Sequence, residues 1–337
     1  MALIRKRSAL TATALAATAL AATAVAAISL AALAALPARA ATPQPVTLVV
    51  PAAPGGSNDI MARVMEPLLR SELGRPVVVE NRGGGGGNVG AAYVARADAG
   101  SNLWLLTSAS IITMNPGLFA SPGFDTLRDF VPVAGIASVP HVLLVHKDFA
   151  PASLPELLAA LRREPGRYFF GSAGNGTYSH ILMEFLKRAE KVDAAHVPFR
   201  GVAPAMTELM AGRIQMLIST LPSAMPYLNS RDVKALAVFS ERRSAFLPDL
   251  PTARETVPGL VGDLWIALYA PQSTPPQQVQ RMRQAVLQAQ ASPALQEKFR
   301  TMGASVHAPT VQELRAQTEA DLTRWSRLIQ QAGIQVD

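Results

Sequence analysis

Residues 83–90, GGGGGNVG, carry the spacing G-x-G-x-x-G at Gly85, Gly87 and Gly90, between a β-branched run, VVVE, and an Ala-rich helical segment. Glycines so spaced let a backbone turn tightly against a pyrophosphate at a helix N-terminus, which is the chemistry of dinucleotide binding. That chemistry also asks the strand to run almost directly into the first glycine, and a carboxylate about 20 residues on to hold the ribose. Here Glu80, Asn81 and Arg82 intervene, Asp98 comes too early, Asp125 comes too late, and LWLLTSAS fills the required place. No dinucleotide and no other cofactor is expected.

Other small polar turns offer a different chemistry. PAAPGGSND (51–59) lies between a strand and a helix, and GSAGNGT (171–177) lies between RYFF and SHILMEFLKR. The second lacks the Lys-Ser/Thr ending of a P-loop, so a nucleotide phosphate would miss its main countercharge. TSAS (107–110) and STLPS (219–223) directly follow apolar runs. Such turns present unpaired N–H groups, hydroxyls and the positive end of a helix dipole, and together make an anion site without fixed cations. Taken singly, each is equally a tight turn or a helix cap.

Catalysis finds little support. Ser172, His180 and an Asp form a triad on paper, which keeps an exported hydrolase as the rival reading, but G-x-S-x-G is absent. Of five histidines, His141, His146, His180, His196 and His307, none belongs to H-E-x-x-H or to an acidic cluster at metal spacing. The absence of cysteine removes disulfides, thiolate nucleophiles and Cys-based metal sites. No metal site and no enzymatic activity are expected.

The elements that must position these turns alternate. VTLVV (46–50), VVVE (77–80), LWLLT (103–107), HVLLVH (141–146), RYFF (167–170), IQMLIS (214–219) and VKALAVF (233–239) read as buried strands. Ile60, Val64 and Leu68 predict a helix that stops at Gly74 and Pro76, and LPELLAALRREPG and SHILMEFLKRA have helical period. The C-terminal end is helical: Ser292-Pro293 opens a short helix ending at Gly303. Thr310 and Glu313 make a capping box before an apolar face of Leu314, Leu322, Trp325 and Ile329 that runs to Gly333. Trp325 and the methionines read as core. Alternating strands and helices predict an α/β fold with a parallel sheet covered on both faces.

The first forty residues read as a leader. MALIRKR is basic, the stretch from Ser8 to Pro37 is uncharged, and Ala38-Arg39-Ala40 is a small-x-small cleavage pattern. Cleavage after Ala40 and export to the periplasm are expected, although the apolar stretch also reaches membrane-anchor length. Removing four basic leader residues leaves 27 − 24 = +3 from a whole-chain +7. No basic run is interleaved with aromatics, so no nucleic-acid partner is expected. About 300 remaining residues suggest two domains without a need for disulfides.

In order along the chain, VVPAAPGGSNDIMARVMEPLLRSELGRPVVVENRGGGGGNVGAAYVARA, MNPGLF (114–119), the Asp129 to Ala134 run, GSAGNGTYSH, HVPFRG (196–201), AGRIQMLISTLPSAMP and SERRSAFLPDLPTARE carry a collinear pattern that ends at GASV and W-x-x-(L/I)-I-x-x-AGI. Over residues 46–337 this resembles the substrate-binding proteins of tripartite tricarboxylate transporters, the Bug-type receptors. The resemblance implies a two-lobed type II periplasmic-binding-protein fold. Each lobe would be a mainly parallel sheet flanked by helices, with two crossover strands and a ligand cleft between the lobes. Lobe 1 would be 44–142 plus 262–337, and lobe 2 would be 143–261.

It further implies an extracytoplasmic receptor, monomeric, that captures a small mono-, di- or tricarboxylate by lobe closure. It would deliver the ligand to a membrane permease, or alternatively report it to a sensor. Main-chain amides and hydroxyls would grip the ligand: Gly55, Gly56, Ser57 and Asp59, with Ser108 and Ser110, from one lobe. The other lobe would supply Ser172, Ala173, Asn175, Gly176, Thr177 and His180, with Arg200, Gly201, Val202 and Ala203 alongside. Ser219 and Thr220 stand where the family often has an acid and an amide, which disfavours an amino-acid ligand. Arg200, in place of a common Lys, either faces the cleft and holds a second carboxylate or faces water. Pro54 and Val202 also depart from the common pattern. The glycine tract is read as mainly architectural.

Overall fold

A computed structural model describes residues 44–332, 334 and 336. The leader reading, residues 1–40, and the Gly333 stop lie outside the described residues. Strand β1 (Val46–Val50) pairs in parallel with β2 (Val77–Asn81) and β3 (Leu103–Ser108). A second parallel set is formed by β5 (Phe169–Ser172), β6 (Ala195–Pro198) and β7 (Met216–Thr220). The two sets are joined by long antiparallel strands. β4 (Phe130–His146) pairs with β9 (Asp263–Pro271) as far as Pro140, and from His141 onward it pairs with β7 and β8 (Val233–Val238). Each lobe is thus a parallel core with antiparallel additions from the crossover strands.

Sequence periodicity places only residues 141–146 in a strand and gives β9 no strand at all. The first part of β4 holds Pro132, Gly135 and Pro140, which read locally as breakers. The register shifts at Pro132/Ala134 and Gly135/Ala137, and bulges there absorb the irregularity. Gly135 is required by close packing, because a Cβ there would lie 2.4 Å from the carbonyl oxygen of His307. β9, DLWIALYAP, is buried along almost its whole length, so it lacks the two-residue alternation that marks a half-exposed strand.

Helix α1 (Ser57–Leu73) ends where expected, at Gly74 in the left-handed conformation. Its buried face is Met61, Val64, Met65, Leu69 and Leu73, while Ile60 and Leu68 are only half-buried. The stripe is therefore rotated from the i, i+4, i+8 reading, because the long methionines supply much of the inward surface. Downstream come α2 (Asn88–Ala95), α3 (Asn115–Leu118), α4 (Thr126–Asp129) and α5 (Leu154–Arg163). α6 (Tyr178–Glu190), α7 (Val202–Met210), α8 (Leu221–Ser230) and α9 (Ala253–Thr256) follow.

The C-terminal helices are α10 (Pro276–Ala291), α11 (Pro293–Thr301) and α12 (Val311–Ala332). Thr310 and Glu313 close the expected box: the Thr310 N–H donates to Glu313 Oε2 at 2.8 Å and the Glu313 N–H to Thr310 Oγ1 at 3.2 Å. Such a cap is worth about 1 kcal/mol. Leu314, Trp325 and Ile329 are buried, and Trp325 meets Tyr178 edge-on at 5.5 Å and stacks on Phe185 at 5.9 Å. α12 therefore braces α6 from the far end of the chain. Among the described residues no helix is long and apolar enough to cross a membrane.

Candidate binding cleft

A cavity of about 750 Å³ opens where the carboxyl ends of β1, β2, β3 and β7 face the loop after β5. Strand order makes this the natural ligand position of an open α/β sheet, because successive loops leave the strands on the same side. Five helices begin on its wall: α1 through Gly56 and Ser57, α2 through the glycine tract, α6 through Thr177, α7 through Gly201 and α8 through Thr220. In α1 the first in-helix bond is Ile60 N–H to Gly56 O, so the N–H groups of Ser57, Asn58 and Asp59 have no acceptor within the helix. The wall is consequently rich in donors and positive in potential. Arg200 is the one charged side chain among the described lining residues, and none of them is Asp or Glu.

Of the residues expected at the ligand, Gly56, Ser57, Ser108, Ser110, Ala173, Asn175, Thr177, Arg200, Gly201, Ser219 and Thr220 line this cavity. Arg200 borders it and is exposed. Ser108 and Ser110 are buried, with their hydroxyls 3.0 Å apart, and Asn58 Nδ2 donates to Ser108 Oγ at 3.4 Å. Asn58 Oδ1 is buried without a partner among the described residues. Thr220 Oγ1 donates to Ser223 Oγ, and Ser223 Oγ donates to the carbonyl of Gly55 at 3.3 Å, which ties the α8 end to the loop before α1.

Gly55, Asp59, Ser172, Gly176, His180 and Ala203 are not on the wall. Asp59 is buried and accepts the Gly55 N–H at 2.9 Å and Arg63 Nε at 3.1 Å. Burial alone would raise its pKa, but the bonds from Arg63, Gly55 and Asn81 outweigh that and hold the carboxylate below its ordinary range. It thus fixes the turn at Gly55, where φ is +82°. Gly176 spends its N–H on His180 Nδ1 at 3.2 Å, and Ala203 is exposed on α7.

The Ser172 and His180 pairing of the hydrolase reading is not formed. Ser172 is sealed from solvent and its hydroxyl lies 2.7 Å from His196 Nε2, with further bonds to Gly174. His180 instead stacks on His196, with centroids 4.0 Å apart. Burial lowers the pKa of both rings, and at His196 the neighbouring His180 and Lys187 lower it further, to about 3. This neutral pair packs beneath the GSAGNGT loop.

Several wall residues escape sequence reasoning. Gly83 to Gly87 all line the cavity, and Gly84 to Gly87 all have positive φ. A Cβ at Gly87 would lie 2.5 Å from Ile111 Cδ1, and one at Gly90 2.5 Å from the Arg82 carbonyl oxygen. The tract is therefore both a packed crossing, as expected, and a stretch of cavity wall. Asn115 holds it, donating from Nδ2 to Gly86 O at 3.1 Å and to Asn88 Oδ1 at 2.6 Å. The one signal for Asn115 was MNPGLF, which the motif pattern contains without assigning it a role. Phe119, His141, Tyr178 and Val336 also line the cavity.

Residues 61–334 match the family described as Tripartite tricarboxylate transporter family receptor. Protein BugT of Bordetella pertussis is 32% identical over 292 residues, covering 86% of this chain and 90% of that one. The structure titled R. palustris Rpa4515 with adipate matches with a TM-score of 0.83 at 32% identity, over 87% of this chain and 99% of that one. MatC from Rhodopseudomonas palustris with bound malate matches with a TM-score of 0.81 at 30% identity, over 85% and 99%.

Proposed function

The chain belongs to the tripartite tricarboxylate transporter receptor family, and from that premise we propose that it is a periplasmic receptor for a small organic acid. The observation that carries this is the cavity wall itself: five helix N-termini and one guanidinium, with no carboxylate among the described lining residues. A small anion is stabilised there by fixed N–H dipoles, and a free ammonium group would find no countercharge. Relatives with adipate and with malate support a carboxylate as the ligand class.

Capture works by closure. The loops at Ala53–Gly56 and Gly83–Gly87 form one half of the grip, and those at Ala173–Thr177 and Arg200–Val202 the other. In this conformation the halves touch, since Ser223 bonds Gly55 and a Cβ on Gly201 would lie 2.9 Å from that of Ala53. A ligand bridging both halves favours the closed arrangement, and a membrane permease reads that shape and receives the acid. The lobe boundaries fall near His141 and Gly262, where β4 changes partners and β9 begins. The receptor acts as a monomer, and its site takes neither metal nor cofactor.

Calorimetry and thermal shift against mono-, di- and tricarboxylates test the reading. One acid binds per chain and raises the melting temperature, while the radius of gyration falls on binding. A chain whose melting temperature moves with no carboxylate overturns it.

A further inference from the structure

His141 lies at the point where β4 leaves β9: Pro140 pairs with Asp263 and His141 with Thr220. The two crossover segments are stitched together here. The Phe239 N–H donates to His141 O at 2.9 Å, and the Gly262 N–H donates to Phe239 O at 2.6 Å. His141 is 2% exposed and lines the cavity, and its ring stacks on Tyr178 with centroids 4.6 Å apart.

Its Nδ1 lies 3.1 Å from the carbonyl oxygen of Gly262. A carbonyl only accepts, so Nδ1 carries the proton, and in a neutral ring Nε2 is then an acceptor with a lone pair. Burial keeps the ring neutral, pulling its pKa down to about 4 against a smaller opposing effect of the Gly262 bond. The ring lines the cavity, its Nδ1 edge is taken up by Gly262, and Nε2 has no hydrogen-bond partner among the described residues. In a wall otherwise rich in donors, this ring presents an acceptor.

We propose that His141 is a specificity-determining residue whose Nε2 accepts a hydrogen bond from a hydroxyl on the bound acid, so that the receptor selects hydroxycarboxylates over their deoxy counterparts. The inference rests on the carboxylate-receptor reading above. A carboxylate without a hydroxyl leaves Nε2 facing an apolar group, or a trapped water that must pay for its own ordering. An amino group would also donate to Nε2, but the absence of any acid among the described lining residues disfavours a buried ammonium.

Calorimetry on the full chain, with matched pairs as probes, tests this: lactate and propionate, malate and succinate, citrate and tricarballylate, with aspartate as the amino analogue of malate. In whichever pair binds, the hydroxy acid binds at least about tenfold tighter in the wild type, the scale of one buried hydrogen bond. His141→Phe keeps the stack on Tyr178 and removes the acceptor, bringing the pair to within about twofold by weakening the hydroxy acid alone. His141→Asn, whose amide still reaches Gly262, gives the same convergence if the Phe variant does not fold. Equal wild-type affinities within a pair, a preference that survives in either folded variant, or tighter binding of aspartate than malate overturns the role of His141 and leaves the receptor reading standing. Binding of no carboxylate in any pair overturns both.

Discussion

At the scale of single residues, the glycine turns divide into those that present an N–H and those that have already used it. Gly56 has φ −78°, an angle proline adopts without strain, and it lines the cavity with no acceptor for its N–H among the described residues. Gly176 has φ +73° and gives its N–H to His180. Gly56→Pro therefore lowers carboxylate affinity by about tenfold with a melting temperature within a few degrees of wild type. Gly176→Pro forces an angle that proline does not reach, and unfolds the loop. Parallel titration and melting of the two variants check this, and equal loss of stability in both would show that Gly56 is only structural. The sequence reading treated these glycines alike, because a motif records residue type and not φ. The same gap hid His141, whose role depends on a carbonyl at residue 262 that no local pattern connects to it.

At the scale of elements, the cleft depends on helix N-termini held at fixed angles, and α1 shows how. Asp59, in its first turn, accepts the Gly55 N–H and the Arg63 guanidinium. This carboxylate sits behind the wall, so its effect on a ligand is positional. Asp59→Ala frees the Gly55 turn, with an expected loss of about tenfold in carboxylate affinity and about 1–2 kcal/mol in stability. Affinity unchanged in a folded variant would remove Asp59 from the site altogether.

Half of the helices were legible, because their caps and periods are local: Gly74 and the Thr310/Glu313 box lie where the letters place them, whereas α7, α8 and α10 were not read as helices. Of the parallel strands, β1, β2, β3, β5 and β7 were legible to within two or three residues, whereas β6 was not, being four residues long and nowhere fully buried. The crossover strands were not located, since β9 is buried throughout and the first part of β4 is broken by Pro132, Gly135 and Pro140. Their pairing is an agreement between segments far apart in the chain, and only the family resemblance implied that they exist.

At the scale of the whole molecule, histidine burial sets the response to acid. Burial lowers the pKa of His141, His180, His196 and His307, with the Gln317 bond opposing it at His307. The unfolded chain takes up these protons near pH 6.5, while the folded chain does so only near pH 4 at His141 and pH 3 at His196. Each ring thus contributes stability that is fully present above pH 6.5 and drains as pH falls toward its folded pKa; for the sealed His141 this is on the order of 3 kcal/mol. The melting temperature is expected to fall already between pH 6.5 and 5. Carboxylates that are held low, such as Glu255 at about 2, add their own loss further down. His141→Asn flattens part of the early fall, and a wild-type melting temperature constant from pH 7 to 5 would refute the assignment.

The placing of β9 has a consequence for how the molecule is made. β3 pairs with β9 through Leu105 and Tyr269, and β4 pairs with it through Phe130 and Pro271. Until residue 271 has been synthesised, both strands present naked edges, and the N-terminal sheet has no partner to close it. A chain stopped short of residue 271 therefore lacks the strand that closes its oldest sheet, and is expected to be cut by protease more readily than the full-length chain.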